Sequence, residues 1–289
     1  MLKNLKYFVY ENMIFCLLAL VPFVSSPAIV NAQQGNQPAL FTEPLSVSRG
    51  KIIPQSFDAE VWPKSYYCDI VKLDWGWSTC EGFDAFIVGY NDKIDSLLME
   101  KPNSGGFVKF DDWNSKNLDK QVKAIEKDLR ASLKIQGEQS NSIINFERWR
   151  VFPTLNKAKN IMFYATDISF DGEVSTNVKA SVFDRYGYNV FRIVTSSSEL
   201  SKTDIEDLVL NMAESYKPNV NDSYSSFISG DKLAAGGAIA VLATLMGVKY
   251  GKAAAAGAFA IALVFLKKAG FLLLLPLLWI GRLFKRKSK

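Results

Sequence analysis

Histidine is absent from the 289 residues of the chain, and this absence removes several classes of chemistry. A protein without histidine has no Ser-His-Asp or Cys-His nucleophile, no histidine general base and no histidine-ligated zinc. The sequence also lacks a glycine-rich loop followed by Lys-Ser/Thr and a GxGxxG motif after a predicted strand. We therefore predict no catalytic residue, no cofactor and no metal site, and we favour a protein that is not an enzyme.

Cysteine is scarce, with three residues in all, of which Cys16 lies in an N-terminal apolar run. The other two, Cys68 and Cys80, are too few for a cysteine-ligated metal. In an oxidising compartment an even pair of this kind is expected to form a disulfide. A redox-active pair is the alternative, but the spacing is not Cys-x-x-Cys. We predict a structural disulfide between Cys68 and Cys80.

The loop between these two cysteines contains Trp75 and Trp77, separated by one glycine. On a strand the two rings share a face, where they either stack on a sugar ring or pack against the core and the disulfide. We take Trp75 and Trp77 as a candidate ligand surface. A glycoside hydrolase would also need a pair of carboxylates, although surface acids are usually only solvated. The acids close to this loop are Asp69, Asp74, Glu81 and Asp84.

Acidic residues are absent from residues 233–289, which contain nine lysines and arginines. Residues 33–232 contain 23 basic and 28 acidic residues, so the formal net charge of +5 averages two opposite regions. A mildly acidic domain is a poor partner for the phosphate backbone of nucleic acid. An apolar, basic end is typical of a membrane-associated protein. We therefore predict a membrane, and no nucleic acid, among the partners.

The C-terminal region is apolar from 233 to 283, with five basic interruptions, and the chain ends RLFKRKSK. A membrane span needs about 17 to 25 apolar residues. The runs 233–248, 253–266 and 269–281 are each slightly short, so the number of spans stays open. We predict that residues 231–289 form a membrane anchor of one or more transmembrane helices with a basic cytoplasmic tail. A buried hairpin of a soluble domain is the alternative.

Small residues are frequent in this predicted anchor. Gly247 and Gly251 stand four residues apart, on one helical face, where two helix backbones can approach closely. They are candidates for helix–helix packing, or they are small residues that a span tolerates. An assembly of residues 233–284 that is membrane-active or channel-like is a further hypothesis.

The N-terminus has the pattern of an export signal. Lys3 and Lys6 precede the apolar run MIFCLLALVPFV, and the small residues VNA follow it. We predict that residues 1–32 are a signal peptide cleaved after Ala32, with an uncleaved N-terminal anchor as the alternative. Residues 33–50 are polar and punctuated by proline and glycine, and we predict a disordered lead-in there.

Two amphipathic helices are predicted within an exported domain that covers residues 51–230. Residues 115–136 and 204–216 each place apolar side chains on one stripe. The first helix is expected to stop at Gly137, and TDIE at 203–206 is expected to form a capping box at the start of the second.

Four segments between these helices are rich in β-branched and aromatic residues and have the length of strands. Asp171-Gly172 is a tight-turn signal that joins the middle two. We predict the class α+β, with an antiparallel β-meander covered by helices. The segments are SIINFERWRVF (142–152), NIMFYATDISF (160–170), EVSTNVKASVF (173–183) and YNVFRIVTS (188–196).

The second half of the chain resembles the uncharacterised, membrane-anchored bacterial proteins grouped as domain of unknown function 2167. The resemblance rests on WRVFPTLN (149–156), on NVKASVFDRYGYNVFRIV (177–194), and on YSSFISGDKLAAGG (224–237), which leads into the anchor. Within the second motif, Arg185 and Gly187 occupy comparable positions. The resemblance implies an exported domain on a C-terminal anchor and no known reaction. It is compatible with a turn at Pro153 and a sheet-edge ion pair at Arg185.

We expect a non-catalytic interaction or assembly subunit of the bacterial envelope, held by its anchor in the inner membrane with the folded domain on the periplasmic side. Its expected partners are the membrane and an envelope or membrane protein, or a second copy of the chain. The alternative function is binding or hydrolysis of an envelope glycan by the exported domain.

Overall fold

Antiparallel strands provide the framework of the fold, and helices lie against them. The computed structural model describes residues 37–56, 58–74, 80–197 and 199–248. The strands are β1 (Ala39–Leu40), β2 (Leu45–Val47), β3 (Gly50–Ile52), β4 (Glu60–Val61), β5 (Phe83–Val88), β6 (Ile94–Glu100), β7 (Ile144–Asn156), β8 (Ile161–Phe170), β9 (Glu173–Phe183), β10 (Tyr188–Thr195) and β11 (Tyr216–Pro218). The helices are α1 (Lys64–Asp69), α2 (Ser115–Ser140), α3 (Lys202–Ser215) and α4 (Ala238–Leu245), with single helical turns at Ile70–Asp74, Val220–Asp222 and Tyr224–Ser226.

The strands form an eight-stranded sheet with the order β1-β4-β5-β6-β10-β9-β8-β7 and a small sheet with the order β11-β3-β2. Neighbouring strands are antiparallel throughout. The predicted class α+β is confirmed. The predicted meander is confirmed as β7 to β10. Strands β5 and β6 were not predicted; β6 pairs with β10, and β5 pairs with β6.

The turn between β8 and β9 is the predicted hairpin. Asp171 and Gly172 have φ values of 51° and 93°, as a two-residue turn with left-handed backbone at both positions requires. The turn fixes the register, so that Phe170 pairs with Glu173 and Ile161 pairs with Val182.

Strand β7 forms one edge of the large sheet. Its pairing with β8 shifts register in three places, each of which leaves extra backbone on the edge strand. The edge also contains Pro153, which has no N–H to offer a further strand, and Arg148, whose side chain is 66% exposed. These features protect an edge against pairing with another chain.

Both faces of the large sheet are buried, because successive side chains of each strand point to opposite faces. One face packs against α3, and its core includes Ile87, Leu97, Phe163, Val178, Phe191, Ile205, Leu208 and Met212. The other face packs against α2 and α4, and its core includes Val122, Ile125, Leu129, Phe146, Met162, Phe183, Tyr188 and Leu242. A smaller cluster on that second face lies around α1 and contains Tyr67, Val71, Cys80, Phe86 and Leu98.

The two predicted helices are present with different ends. Helix α2 continues through Gly137 to Ser140, and the chain then folds back so closely that a Cβ on Gly137 would lie 2.5 Å from the Ser142 carbonyl oxygen. Helix α3 begins at Lys202, two residues before its predicted start, and its N-cap is Ser201 instead of Thr203. Its capping box is formed by Ser201 and Asp204, which hydrogen-bond to each other's backbone N–H.

Residues 37–50 were expected to be disordered, but in the structure they form β1 and β2 and lead into β3. Phe41 and Leu45 are buried in the core beneath α3. The segment is polar overall, and its composition therefore predicted disorder. Its two buried apolar side chains nevertheless pack it against the domain.

Helix α4 belongs to the folded domain, although the sequence assigned it to the membrane anchor. Ile239 and Leu242 are completely buried among side chains of α2 and the sheet. The domain therefore continues to Val248 in the structure, beyond the predicted boundary at 230. No helix in the described part of the chain is long and apolar enough to cross a membrane. The predicted signal peptide and residues 249–289 of the predicted anchor lie outside the described residues.

The N-terminal end of α4 is capped by a side chain from a distant loop. The Asp112 carboxylate accepts hydrogen bonds from the N–H groups of Ala238 (2.9 Å) and Ile239 (3.0 Å). A carboxylate at this end of a helix also interacts favourably with the helix dipole. A Cβ on Gly237 would lie 2.3 Å from the Asp112 side chain, so only glycine leaves room for this cap.

The C-terminal end of α4 is held by the sheet. Lys179 Nζ (2.8 Å) and Tyr164 Oη (3.2 Å) both donate to the Leu245 carbonyl oxygen. Burial, and to a smaller extent the nearby Arg192, lower the pKa of Lys179 to about 8, while Glu100 opposes this shift. Opposite charges from the domain therefore hold the two ends of α4.

Candidate interaction site

The structure brings Cys68 and Cys80 to disulfide-bonding distance, with their Cα atoms 5.2 Å apart. Cys68 lies in α1 and Cys80 lies three residues before β5, so a bond between them ties the helix to the sheet. Cys80 is buried next to Phe86 and Leu98. This arrangement is what the predicted disulfide requires, and it points to a structural role.

Trp75 and Trp77 lie outside the described residues, so the candidate ligand surface stays a prediction. Two of the acids close to them have structural partners. Glu81 forms an ion pair with Lys64 at 2.5 Å, and this hydrogen bond lowers the pKa of Glu81. Asp84 accepts a hydrogen bond from the N–H of Ser48 at 3.0 Å.

Gly247 follows the end of α4 and has a φ of 70°, the left-handed conformation that favours glycine after a helix. The N–H of Gly247 donates to the Thr244 carbonyl, and the N–H of Val248 donates to the Ala243 carbonyl. Gly251 lies outside the described residues, so the predicted packing of Gly247 with Gly251 stays a prediction.

A network of buried ion pairs and hydrogen bonds surrounds the turn between β9 and β10. This turn comprises residues 184–187, and its backbone passes very close to the loop before α2. A Cβ on Gly187 would lie 2.1 Å from the Asn103 carbonyl oxygen, and Gly187 has a φ of 156°. Glycine is therefore required at the position that the sequence resemblance singled out.

Asp184 is the buried centre of the turn, with 1% of its surface exposed. Arg49 Nη1 donates to both of its carboxylate oxygens, at 2.7 and 2.6 Å, and Arg49 Nη2 donates to Ser104 Oγ at 2.5 Å. Asn189 Nδ2 (3.0 Å) and the N–H of Tyr186 (2.8 Å) also donate to the carboxylate. The Asp184 carboxylate is thus engaged by donors from Arg49, Tyr186 and Asn189, which hold the turn.

Arg185 makes a second ion pair next to the first. Its Nε and Nη2 donate to the two carboxylate oxygens of Asp231, at 2.7 and 2.8 Å. This hydrogen bonding raises the pKa of Arg185 and lowers the pKa of Asp231. The N–H of Arg185 also donates to the Asp222 carbonyl, so residues 219–233 lie against the turn.

Tyr186 stands between the two arginines. The Arg49 guanidinium carbon lies 5.7 Å from the centre of the tyrosine ring, and that of Arg185 lies 5.3 Å from it. These distances are within the range of cation–π contacts. The ring is held in place, yet it is among the exposed large side chains of the domain.

Four large, exposed apolar side chains lie on the two segments that form these ion pairs. We call these four residues the turn-end surface. The chain segment that contains three of them is held to the turn by the contacts of Arg185 with Asp222 and Asp231, and the N–H of Phe107 donates to the Lys232 carbonyl in the same segment. The members are Tyr186 (39% exposed), Val220 (86%), Ile228 (58%) and Leu233 (47%).

The chemistry of this surface suits binding. Each arginine is already matched by an aspartate, and the residues that the structure describes include no group of three side chains placed to hold a metal ion. A cavity of about 230 Å³ borders Leu233, smaller than the roughly 300 to 1,000 Å³ of typical small-molecule pockets. Tyrosine and arginine are enriched among the residues that contribute most to protein–protein binding, and grouped exposed apolar side chains are typical of interaction sites.

Two of the motifs quoted from the sequence meet here. Arg185, from the second motif, pairs with Asp231, from the third, so the suggested ion pair at Arg185 is present. Sequence reasoning missed Arg49, Asp184 and Tyr186. The run DRYG, with charged and aromatic residues before a glycine, was the local signal for two of them, whereas no sequence signal linked Arg49 to this turn.

The first motif lies elsewhere and has a structural role. Trp149 Nε1 donates to Glu126 on α2 at 2.9 Å. Arg150 donates to Asp167 in the neighbouring strand and to the Leu200 carbonyl before α3. The motif therefore ties the edge strand to the helices on both faces.

Comparison with known proteins yields one match. A family model described as "Protein of unknown function (DUF2167)" matches residues 68–278, which include the turn, the turn-end surface and α4. No curated protein matches the chain. No solved structure matches it either.

Proposed function

We propose that this chain, which belongs to the DUF2167 family, is a non-catalytic interaction or assembly subunit of the bacterial envelope. In this proposal the chain is exported and held in the inner membrane by its C-terminal segment, with the domain on the periplasmic side. The turn-end surface binds a partner protein. The observation that carries the proposal is the exposure of four large apolar side chains around two ion pairs that are already neutralised within the domain.

The rigidity of the turn-end surface supports binding by pre-organisation. Tyr186 is held between Arg49 and Arg185, and Asp231 accepts a hydrogen bond from the N–H of Ile228 at 2.9 Å. Side chains that are already fixed lose little conformational entropy when a partner binds. Exposed apolar residues that are grouped together are also characteristic of interaction sites.

The position of the surface in the chain supports a partner in or near the membrane. Residues 219–233 lead directly into α4, and the apolar, basic sequence of residues 249–289 follows. Since α4 is fixed to the sheet at both ends, the surface has a defined place relative to the start of that sequence.

Site-specific photo-cross-linking in living cells tests this proposal. A photoreactive amino acid replaces Val220 or Ile228 in the full-length protein. Phe170, which is 44% exposed at the end of β8, serves as the matched control. We expect a defined cross-linked protein from Val220 and Ile228 and none from Phe170. The variant V220D/I228D should lose this partner in pull-downs from intact membranes, while V174D retains it.

Two outcomes would count against the proposal, and a third would identify the partner. Equal cross-linking from all three positions would indicate non-specific contact. Recovery of the same partner with V220D/I228D would place the contact elsewhere. A cross-linked product of twice the chain's mass would identify the partner as a second copy. The alternative of glycan binding rests on Trp75 and Trp77, outside the described residues, and stays a prediction of the sequence.

A further inference from the structure

The solvent-facing side of α2 contains a row of basic residues, which we call the basic row. Each member follows the one before by three or four positions, and residues with this spacing lie on one side of a helix. The row runs along about 21 Å of the helix axis, and all of its members are exposed. The opposite side of α2 is the apolar stripe that packs against the sheet. The members of the row are Lys120, Lys123, Lys127, Arg130 and Lys134.

The lysines of the basic row form no ion pair within the part of the chain that the structure describes. Arg130 differs, because it forms an ion pair with Glu126 on the same helix and donates to the Phe146 carbonyl oxygen. The remaining acids of α2 do not lie at ion-pair distance from the row; they are Asp119, Asp128 and Glu138. The row therefore keeps most of its positive charge.

This sorting of charges disfavours the helix on its own. Like charges three or four residues apart on a helix repel each other, whereas a lysine at that distance from an acid stabilises the helix. Lys123 has like-charged neighbours on both sides, at Lys120 and Lys127. An anionic surface opposite the row would offset this repulsion, so the pattern indicates a negatively charged partner.

The proposed membrane segment starts on the same face of the sheet as α2. Val248, the last residue that the structure describes, packs against the same apolar cluster as Leu118 and Val122 of α2. The apolar sequence of residues 249–289, which contains basic residues and no acid, follows directly. A membrane that receives this sequence therefore lies on the side of the domain that α2 and α4 cover.

We propose that the basic row of α2 binds the headgroups of anionic lipids and so orients the domain on the membrane. Attraction between a lysine and an anionic membrane surface fades over about 10 Å at moderate salt, so a straight row parallel to the surface brings all of its charges within reach. Lipid is favoured over an acidic protein because the row consists mainly of lysine, which is depleted at protein–protein interfaces. This inference rests on the membrane anchoring in the proposed function.

The test measures by mass spectrometry how fast each lysine is acylated in the full-length protein in nanodiscs. One set of discs contains phosphatidylcholine alone, and the other also contains phosphatidylglycerol. We expect severalfold slower acylation of the α2 lysines in the second set, and high salt should abolish this protection. Lys51 and Lys217 are the internal controls, because they are exposed and pair with each other in the small sheet, whose apolar residues pack on the α3 side. Their acylation rates should be equal in both sets.

Matched variants test whether the row acts as a unit. K120Q/K127Q should remove most of the protection of Lys123, because half of the unpaired charges are gone. K51Q/K217Q removes the same charge elsewhere and should leave the protection of α2 unchanged. Equal loss of protection in the two variants would show an effect of net charge alone and would overturn the proposal.

Equal acylation of the α2 lysines in the two sets of discs overturns the lipid contact, as does equal protection of Lys51 and Lys217. Protection of the α2 lysines in native membranes but not in phosphatidylglycerol discs also overturns it, in favour of an acidic partner protein.

The anchor and the lipid contact can fail separately. Retention of the protein in phosphatidylcholine discs at high salt reports the anchor alone, so a protein that is retained without protection loses only the lipid contact. A protein that is released there but is protected by phosphatidylglycerol loses only the anchor. Cross-linking from Val220 is independent of both results.

Discussion

Arg49 donates to both carboxylate oxygens of Asp184, at 2.7 and 2.6 Å, although 135 residues of chain separate them. Their ion pair joins the loop before β3 to the turn between β9 and β10. The N-terminal segment of the domain therefore fixes the turn on which Tyr186 stands.

Breaking this pair should be costly. In D184N the Arg49 guanidinium stays largely buried without a charged partner, and we expect a loss of about 3 to 5 kcal/mol of unfolding free energy. Urea denaturation of the full-length protein in detergent measures it. E81Q is the matched control, because it removes the exposed Lys64–Glu81 pair and should change stability little. A D184N protein as stable as E81Q would show that the buried pair does not hold the turn.

Removal of the cysteine pair should also destabilise the domain. The chain-entropy relation for a loop closed between Cys68 and Cys80 gives about 3 kcal/mol, so C68S/C80S should unfold at lower urea concentration. A reducing agent should lower the wild-type midpoint to that of the variant and leave the variant unchanged. If the reductant shifts both proteins equally, its effect does not come from this pair.

Lys179 should make stability depend on alkaline pH. Its folded-state pKa of about 8 is below the ordinary 10.5, so between these values the unfolded chain binds more protons than the folded one. The cost of keeping Lys179 charged is fully present below pH 8 and is relieved as the pH rises through 8 to 10.5. The unfolding free energy of wild type minus that of K179M should therefore increase across this window. A difference that stays flat or falls would contradict the lowered pKa.

Acid should loosen the segment that includes the turn-end surface. Hydrogen bonding to Arg185 lowers the pKa of Asp231 below its ordinary 3.8, so the stabilisation is present above 3.8 and is lost as the pH falls through the lowered value. We expect amide hydrogen exchange in residues 219–233 to accelerate below pH 4 before exchange in β8 and β9 does. In D231N this exchange should be fast already at pH 6. Simultaneous exchange of all these segments would indicate global unfolding instead.

Strands β7 to β10 were predictable because each of their sequences contains its own signal. Strand Ile161–Phe170 is rich in β-branched and aromatic residues along its length. Asp171-Gly172, which follows it, favours a two-residue hairpin turn. Helix α2 was predictable from its apolar stripe. Local periodicity is enough where an element buries a regular face against its neighbours.

The remainder depended on contacts between distant residues. The sequence of α4 has the hydropathy of a membrane segment, and its place within the domain is visible only in its burial against α2 and the sheet and in the contacts of Asp112 and Lys179 at its two ends. The pairing of Arg49 with Asp184 likewise has no local pattern. The resemblance to a family led to Arg185 and Gly187, but the side chains that hold them in place come from elsewhere in the chain.

The irregular edge strand β7 affects how copies of the domain associate at high local concentration. Two copies of a domain at high local concentration meet repeatedly, and a regular strand at the edge of the sheet would let them pair strand to strand. Because of its shifted register, Pro153 and Arg148, strand β7 does not present a regular row of unpaired N–H and C=O groups with which a second chain could pair. Copies of the domain that meet at this edge therefore separate again, and a stable assembly requires specific contacts between side chains.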